Sequence, residues 1–166
     1  MHISVLLDEC IQNLNLKDDS IVVDATLGYG GHSSEILKRI PKGYLYSFDQ
    51  DAEAIKSSTE RLNKIASNYE IIYSNFVNMK QELSKRNIEH VDGILFDLGV
   101  SSPQLDEGER GFSFHADAKL DMRMDKRKEL DASIVVNEYS YEKLVDIFRR
   151  YGEEKYGASI DRKSVV

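Results

Sequence analysis

Thirteen residues, Ile21 to Ser33, constrain this chain most: Ile-Val-Val-Asp-Ala-Thr-Leu-Gly-Tyr-Gly-Gly-His-Ser. A β-branched apolar run ends in an acid, a glycine turn follows, and a polar residue opens a helical pattern. That is a strand, a tight turn and a helix N-terminus. Glycine, lacking Cβ, lets such a turn approach a nucleotide-like ligand closely. A second acid, Asp49, stands at the end of the next apolar run, Tyr44 to Phe48. In an open α/β sheet the two loops lie side by side at the carboxyl ends of neighbouring strands. Asp49 is then placed to accept from both hydroxyls of a ribose held over the glycines.

The rest of the chain extends the same alternation. Apolar positions between residues 3 and 16 (Val5, Leu6, Cys10, Ile11, Leu14) sit near helical spacing. Ile21 to Leu27 reads as a strand buried on both faces, Ser33 to Ile40 as a helix stopped by Pro41 and Gly43, and Tyr44 to Phe48 as the second strand. Asp51 to Ala66 reads as a helix, Glu70 to Tyr73 as a third strand, Met79 to Arg86 as a helix and Asp92 to Leu98 as a fourth strand. The order predicts a parallel sheet with right-handed crossovers and helices on both faces. Residues 100 to 128 read as a long loop, an unusual feature that points to function or a partner surface. Helical patterns return from Asp131 to Tyr151.

Size and composition agree with this picture. The chain has 166 residues, 41% of them hydrophobic and 31% charged, enough for one domain with a real core. No apolar run approaches the ~20 residues that cross a bilayer, and the N-terminus lacks a signal peptide's basic start and long apolar stretch. One cysteine, Cys10, leaves no internal disulfide and fits a reducing cytoplasm. The net charge of −7 argues against general nucleic-acid binding, although Lys119 to Lys128 gathers five basic residues against two acids. No second His or Cys stands at ligand spacing from His32, so no metal site is expected.

The glycines narrow the cofactor. Gly28 and Gly30 fit a dinucleotide fingerprint, but Ser33 occupies its third glycine position. Asp24, four residues before Gly28, puts an acid beside the turn. Charge matching favours a cationic sulfonium and amino group there over a diphosphate, so S-adenosylmethionine is preferred to a nicotinamide or flavin dinucleotide.

More specific are Asp97-Leu-Gly-Val-Ser-Ser-Pro-Gln-Leu-Asp106, Glu109-Arg-Gly-Phe-Ser-Phe114 and Leu120-Asp-Met-Arg-Met-Asp125. With Val5-Leu-Leu-Asp-Glu9, Gly30-Gly-His-Ser33 and Tyr151-Gly-Glu-Glu-Lys155, they closely resemble the bacterial RsmH/MraW family from about His2 to Tyr156. The resemblance implies a Rossmann-like methyltransferase fold whose partial sheet has the order 3-2-1-4, with the start of a helical insertion. It implies an S-adenosylmethionine-dependent enzyme that methylates N4 of a cytidine in small-subunit ribosomal RNA, with that RNA or the ribosomal subunit as partner and the cytoplasm as location. Cofactor contacts are implied at Gly30, Gly31, His32, Asp49, Phe76, Asp97 and Gln104. Asp97 is also the candidate catalytic residue: an acceptor there would hold an N–H of the weakly nucleophilic cytosine amine and aim its nitrogen at the methyl group. Many amine-directed methyltransferases place an Asp or Asn before Pro-Pro and an aromatic at this point, whereas this chain has Asp97-Leu-Gly-Val-Ser-Ser-Pro103. Arg123, Lys126, Arg127 and Lys128 are candidates for phosphate contacts, and Phe112 or Phe114 for base stacking.

The same resemblance implies a division into 1–106 (cofactor-binding core, incomplete), 107–156 (loop and start of an RNA-facing helical insertion) and 157–166 (a non-native tail). The family continues after Tyr156 with a basic helix, and Gly157 to Val166 does not look like one. Asp161 to Val166 is what a common sequencing adapter would encode. The expectation is an N-terminal portion with weak or no activity of its own. The competing reading is a non-catalytic RNA- or protein-binding domain derived from a methyltransferase.

Overall fold

The computed structural model describes residues 4–160. It divides at Gly99–Val100 into two compact units. The first contains α1 (Leu7–Asn13), β1 (Ile21–Asp24), α2 (Gly31–Arg39), β2 (Tyr44–Asp49), α3 (Ala52–Leu62), β3 (Tyr69–Tyr73), α4 (Met79–Ser84) and β4 (Gly93–Leu95). The strands form one parallel sheet in the order β3-β2-β1-β4. This is the Rossmann-like α/β arrangement that the alternation of elements predicts.

Burial explains the order. Successive side chains of a strand point to opposite faces. Val22 and Leu45, paired in register, join Ile36, Leu37, Ile40 and Leu62 in one core layer. Val23, Tyr46 and Phe48 turn the other way, onto Ile72 and Leu83. A central strand covered on both sides needs the continuous apolar character that β1 has. Helix α2 ends before Pro41, because a residue preceding proline is pushed out of the helical region. Asp51 caps α3 by accepting from the amide of Glu53 at 3.1 Å.

Several expected bounds shift: strand β1 stops at Asp24 instead of Leu27. Helix α2 begins at Gly31, two residues before the expected Ser33, because Gly30 takes a left-handed turn (φ 75°) that serves as its N-cap. Helix α3 stops at Leu62 instead of Ala66. Strand β4 spans Gly93–Leu95 only, so Asp97 is not at the strand end but two residues beyond it. The ladder stops there because the amide of Asp97 donates to the Thr26 hydroxyl oxygen at 2.7 Å rather than to a strand carbonyl.

The second unit contains α5 (Ser102–Asp106), α6 (Ala132–Glu138) and α7 (Tyr141–Gly152), with single 3₁₀ turns at Gly108–Arg110 and Gly157–Ser159. The long loop expected over 100–128 is thus partly helical. Ser101 and Gln104 form a reciprocal capping box with a proline in the first turn, a pattern written plainly in Ser101-Ser-Pro-Gln104. The rest of the stretch is stapled. The amide of Met122 donates to the Arg110 carbonyl, the amide of Ala132 to the Asp121 carbonyl, and Lys119 pairs with Asp131 at 2.6 Å. Arg123 forks onto Asp121 and Arg127 onto Asp125. These two arginines, candidates for phosphate contacts, therefore already hold carboxylates two residues away. Arg123 pulls the Asp121 carboxyl down to about 2, and Asp131 is held low chiefly by Lys119.

Asp131 also accepts from the amide of Ile134 and the hydroxyl of Ser133, capping α6. Asp131→Ala is expected to strip hydrogen-exchange protection from the first turn of α6 while leaving the sheet amides of the first unit protected. Depressed carboxyls stabilise the fold above the ordinary Asp range, and that contribution is lost as pH falls through their lowered values. The wild-type first turn should therefore lose protection on acidification, and the variant should lack that step. Phe114 is 92% exposed and its ring lies against that of His115, centroids 4.2 Å apart. The hydroxyl of Tyr141 donates to the carbonyl of Ala158, tying the last described turn to α7. Asp161 to Val166, with the adapter reading, and His2, near the start of the family match, lie outside the described residues.

Candidate active site

Two loops meet at the carboxyl ends of β1 and β2. The Leu27 amide donates to the Phe48 carbonyl at 2.9 Å, and the Gly28 amide donates to Asp49 Oδ2 at 2.8 Å. The other Asp49 oxygen accepts from the amide of Asp51 at 2.9 Å. Gly28 lies at φ 50°, where a side chain is strained, and a Cβ there would meet only the Thr26 carbonyl, at 3.9 Å. The turn's backbone is open on that side. Burial pushes the Asp49 carboxyl upward, against the pull of its amide donors.

Asp24 behaves differently from the ligand-facing acid that charge matching suggests. It is 1% exposed. Its oxygens accept from the Thr26 amide at 3.1 Å and the Ser33 hydroxyl at 2.7 Å, and Ser33 lies 3.0 Å from the Ser47 hydroxyl. Asp24 holds the turn from beneath. Burial drives its carboxyl upward, and the neighbouring Asp49 charge adds to this.

His32 is buried rather than pointing at solvent, with Nε2 3.0 Å from the Val5 carbonyl. Its Nδ1 lies 3.8 Å from Asp97 Oδ2, whose side chain is 42% exposed. Gly31 has a local reason of its own: a Cβ there would lie 1.9 Å from Ser4 Oγ. The segment before α1 thus lies across the loop. Gly30, by contrast, faces Ser58 and Leu62 of α3.

Phe76 opens a 3₁₀ turn capped by Asn75, and Asn75 donates to the side-chain oxygen of Gln50, the residue after Asp49. The Phe76 ring is 37% exposed and meets Phe96 edge to face, centroids 5.5 Å apart. The first unit thus gathers Gly30, Gly31, His32, Asp49, Phe76 and Asp97 around one end of the sheet. Gln104 belongs to the second unit, is 6% exposed, and accepts from the Ser101 amide at 3.0 Å. Thr26, Phe96 and the Val5 carbonyl are additions of the structure. The apolar alternation Ile94, Phe96, Leu98 could have exposed Phe96. Nothing local marks a backbone carbonyl as the partner of a histidine 27 residues away.

The donor set fits S-adenosylmethionine: carboxylates for hydroxyl and amino donors, an aromatic face and an open glycine backbone. Asp49 and Asp97 make the surroundings unfavourable for a diphosphate. Among the described residues no cluster of three or more metal-ligating side chains occurs, and no helix is long and apolar enough to cross a membrane.

The model of the MraW methylase family matches residues 1–166. "Ribosomal RNA small subunit methyltransferase H" of Mycoplasmopsis agalactiae is 54% identical over 96% of this chain and 53% of its own length. The protein of that name from Exiguobacterium sibiricum is 56% identical over 98% of this chain and 52% of its own. The chain spans about half the length of these curated relatives. A solved rRNA methylase from Streptococcus thermophilus matches 63% of this chain and 57% of its own at 29% identity, with a TM-score of 0.43.

Proposed function

This chain belongs to the MraW methylase family, and we propose that it carries the S-adenosylmethionine site of an enzyme that methylates N4 of a cytidine in small-subunit ribosomal RNA. The observation that carries this reading is the bond from the Gly28 amide to Asp49 at 2.8 Å. It sets a carboxylate beside an open glycine turn, where a ribose would lie. When bound, S-adenosylmethionine would supply an electrophilic methyl group. Asp49 would accept from the sugar hydroxyls, Phe76 would face the adenine, and Gly30, Gly31 and His32 would shape the loop around the amino-acid portion.

Calorimetry on this chain tests the cofactor. Binding of S-adenosylmethionine with no detectable binding of NAD is the expected result, and the reverse would overturn the reading. Asp97 is proposed to hold the cytosine amine for in-line attack. Its backbone is anchored through Thr26 and its carboxylate remains partly open. Asp97→Asn, placed in a full-length relative, is expected to lower methyl transfer to immature small subunits at least about tenfold, the scale of one lost charged hydrogen bond. Unchanged turnover with unchanged cofactor affinity would remove that role.

We further propose 107–156 as the RNA-facing part, with the exposed Phe114 as its stacking residue, and the cytoplasm as the place of work.

A further inference from the structure

Two apolar side chains stand outward beside the cofactor turn. Val5 is 62% exposed and Leu6 64%, while the next apolar residues of the segment, Leu7 and Ile11, pack into the core. Leu6 also takes a left-handed backbone conformation (φ 46°, ψ 38°), unfavourable for a residue that carries a Cβ. Its side chain gains no burial in return. Such strain persists where the surroundings hold it in place. The Val5 carbonyl lies 3.0 Å from His32 Nε2, and the Leu6 carbonyl accepts from the Cys10 amide at 2.8 Å. Ser4 fills the space over Gly31. The turn is pinned on three sides with Val5 and Leu6 left bare.

The position of the turn limits what those side chains meet. His32 touches Val5 through Nε2, and its other ring nitrogen lies 3.8 Å from Asp97 Oδ2, so the turn and that carboxylate stand one imidazole apart. In the sheet order β3-β2-β1-β4, Asp49 and Phe76 belong with β2 and β3, and Asp97 with β4. A cofactor whose sugar and adenine are placed by Asp49 and Phe76 leaves the Asp97 side to the methyl acceptor. Asp8 and Glu9, exposed in the first turn of α1, repel phosphate. The zwitterionic amino-acid portion of the cofactor gains nothing from isopropyl and isobutyl groups, whereas a flat uncharged ring does.

We propose that Val5 and Leu6 form the apolar wall on which the target base lies while its exocyclic amine points to Asp97. An enzyme that acts on a base takes it out of its stack, and apolar side chains replace the neighbours that the base leaves. The wall has no side-chain donor or acceptor, so it positions a pyrimidine and leaves the amine to Asp97. This assignment rests on the methyl-transfer reading above.

The test uses a full-length relative with Val and Leu at these two positions, acting on immature small subunits. Leu6→Ala should lower kcat/KM about tenfold, the scale of one leucine side chain lost from a contact, with S-adenosylmethionine affinity within about threefold of wild type. Leu6→Gly removes the same side chain but suits the left-handed backbone, and should lose as much. Leu6→Met, which keeps an apolar side chain, should restore most of the rate. Full activity in the Gly variant with loss in the Ala variant would mean that Leu6 serves only the turn, and overturns the wall. So does cofactor affinity that falls in step with turnover, or an Ala variant as active as wild type. A direct reading comes from the ¹³C-labelled methyl groups of Val5 and Leu6. With S-adenosylhomocysteine bound, added cytidine should move them upfield, as a ring lying on them requires. Cofactor binding with no methyl shift at saturating cytidine overturns the wall and leaves the cofactor reading standing. A relative that binds no cofactor fails that reading, and the methyl response to cytidine alone then decides the wall.

Discussion

Alanine in place of Asp49 is expected to weaken S-adenosylmethionine binding by about 100-fold, read by calorimetry on this chain. Hydrogen bonds from two hydroxyls to one carboxylate, each taken at the low end of roughly 1.5–3 kcal/mol, total about 3 kcal/mol, a factor on the order of 100. The loss has a second component within the protein. Asp49 also accepts from the amides of Gly28 and Asp51, so its removal releases the turn after β1 and the start of α3 together. Asp49→Asn separates the two components. One amide oxygen still accepts from a backbone N–H, but the charge is gone, and the expected loss is about tenfold. Burial raises the Asp49 carboxyl, so protonation on acidification removes an acceptor. Wild-type affinity should therefore decline as pH falls toward that raised value, and the Asn variant should lack this decline. An alanine variant that binds within about threefold of wild type would show that the carboxylate serves the loops and not a sugar.

The site was legible in the sequence where a residue's job is set by its neighbours along the chain. The β-branched run of β1 and the glycines after it dictate a strand and a turn, and Asp49 follows from the same pattern one strand later. Parallel pairing then brings the two loops together, because register between β1 and β2 runs from Ile21 opposite Tyr44 to Asp24 opposite Ser47. The sequence misled where a side chain's partner is distant. Asp24 looks like a ligand-facing acid until Ser33 and Ser47 are seen beneath the turn. Apolar residues after Leu95 imitate a longer β4, while Thr26, 71 residues before Asp97, takes the amide that would have continued it. In the stretch after Gly99, a capping box outweighed loop-like composition, and local carboxylates hold two arginines that the family resemblance offers to phosphates.

The buried acid beneath the turn gives the largest expected effect on folding. Asp24→Ala leaves the Thr26 amide without its acceptor and the Ser33 hydroxyl with Ser47 as its remaining partner, around a position that is itself buried. At roughly 1–3 kcal/mol for the orphaned amide, with the lost Ser33 bond partly offset by relief of a buried charge, the variant should lose about 2 kcal/mol in urea unfolding. Asp24→Asn separates geometry from charge. Its oxygen accepts from Thr26, its nitrogen donates to Ser33, and Ser33 turns its hydrogen to Ser47. The expected cost is within about 1 kcal/mol. The pH dependence has a definite sign. Burial raises this carboxyl above its ordinary 3.8, so between 3.8 and the raised value the folded chain holds a proton that the unfolded chain has released. Stability falls as pH rises through such a window. The depressed carboxyls of Asp121 and Asp131 act in the opposite direction, so wild type alone would not reveal the effect. The difference between wild type and the Asn variant does, because those groups are common to both. That difference should shift in favour of the Asn variant as pH climbs from about 4. A difference that stays flat would mean that Asp24 keeps an ordinary charge, and that the acid beneath the turn is balanced by its hydrogen bonds rather than strained by burial.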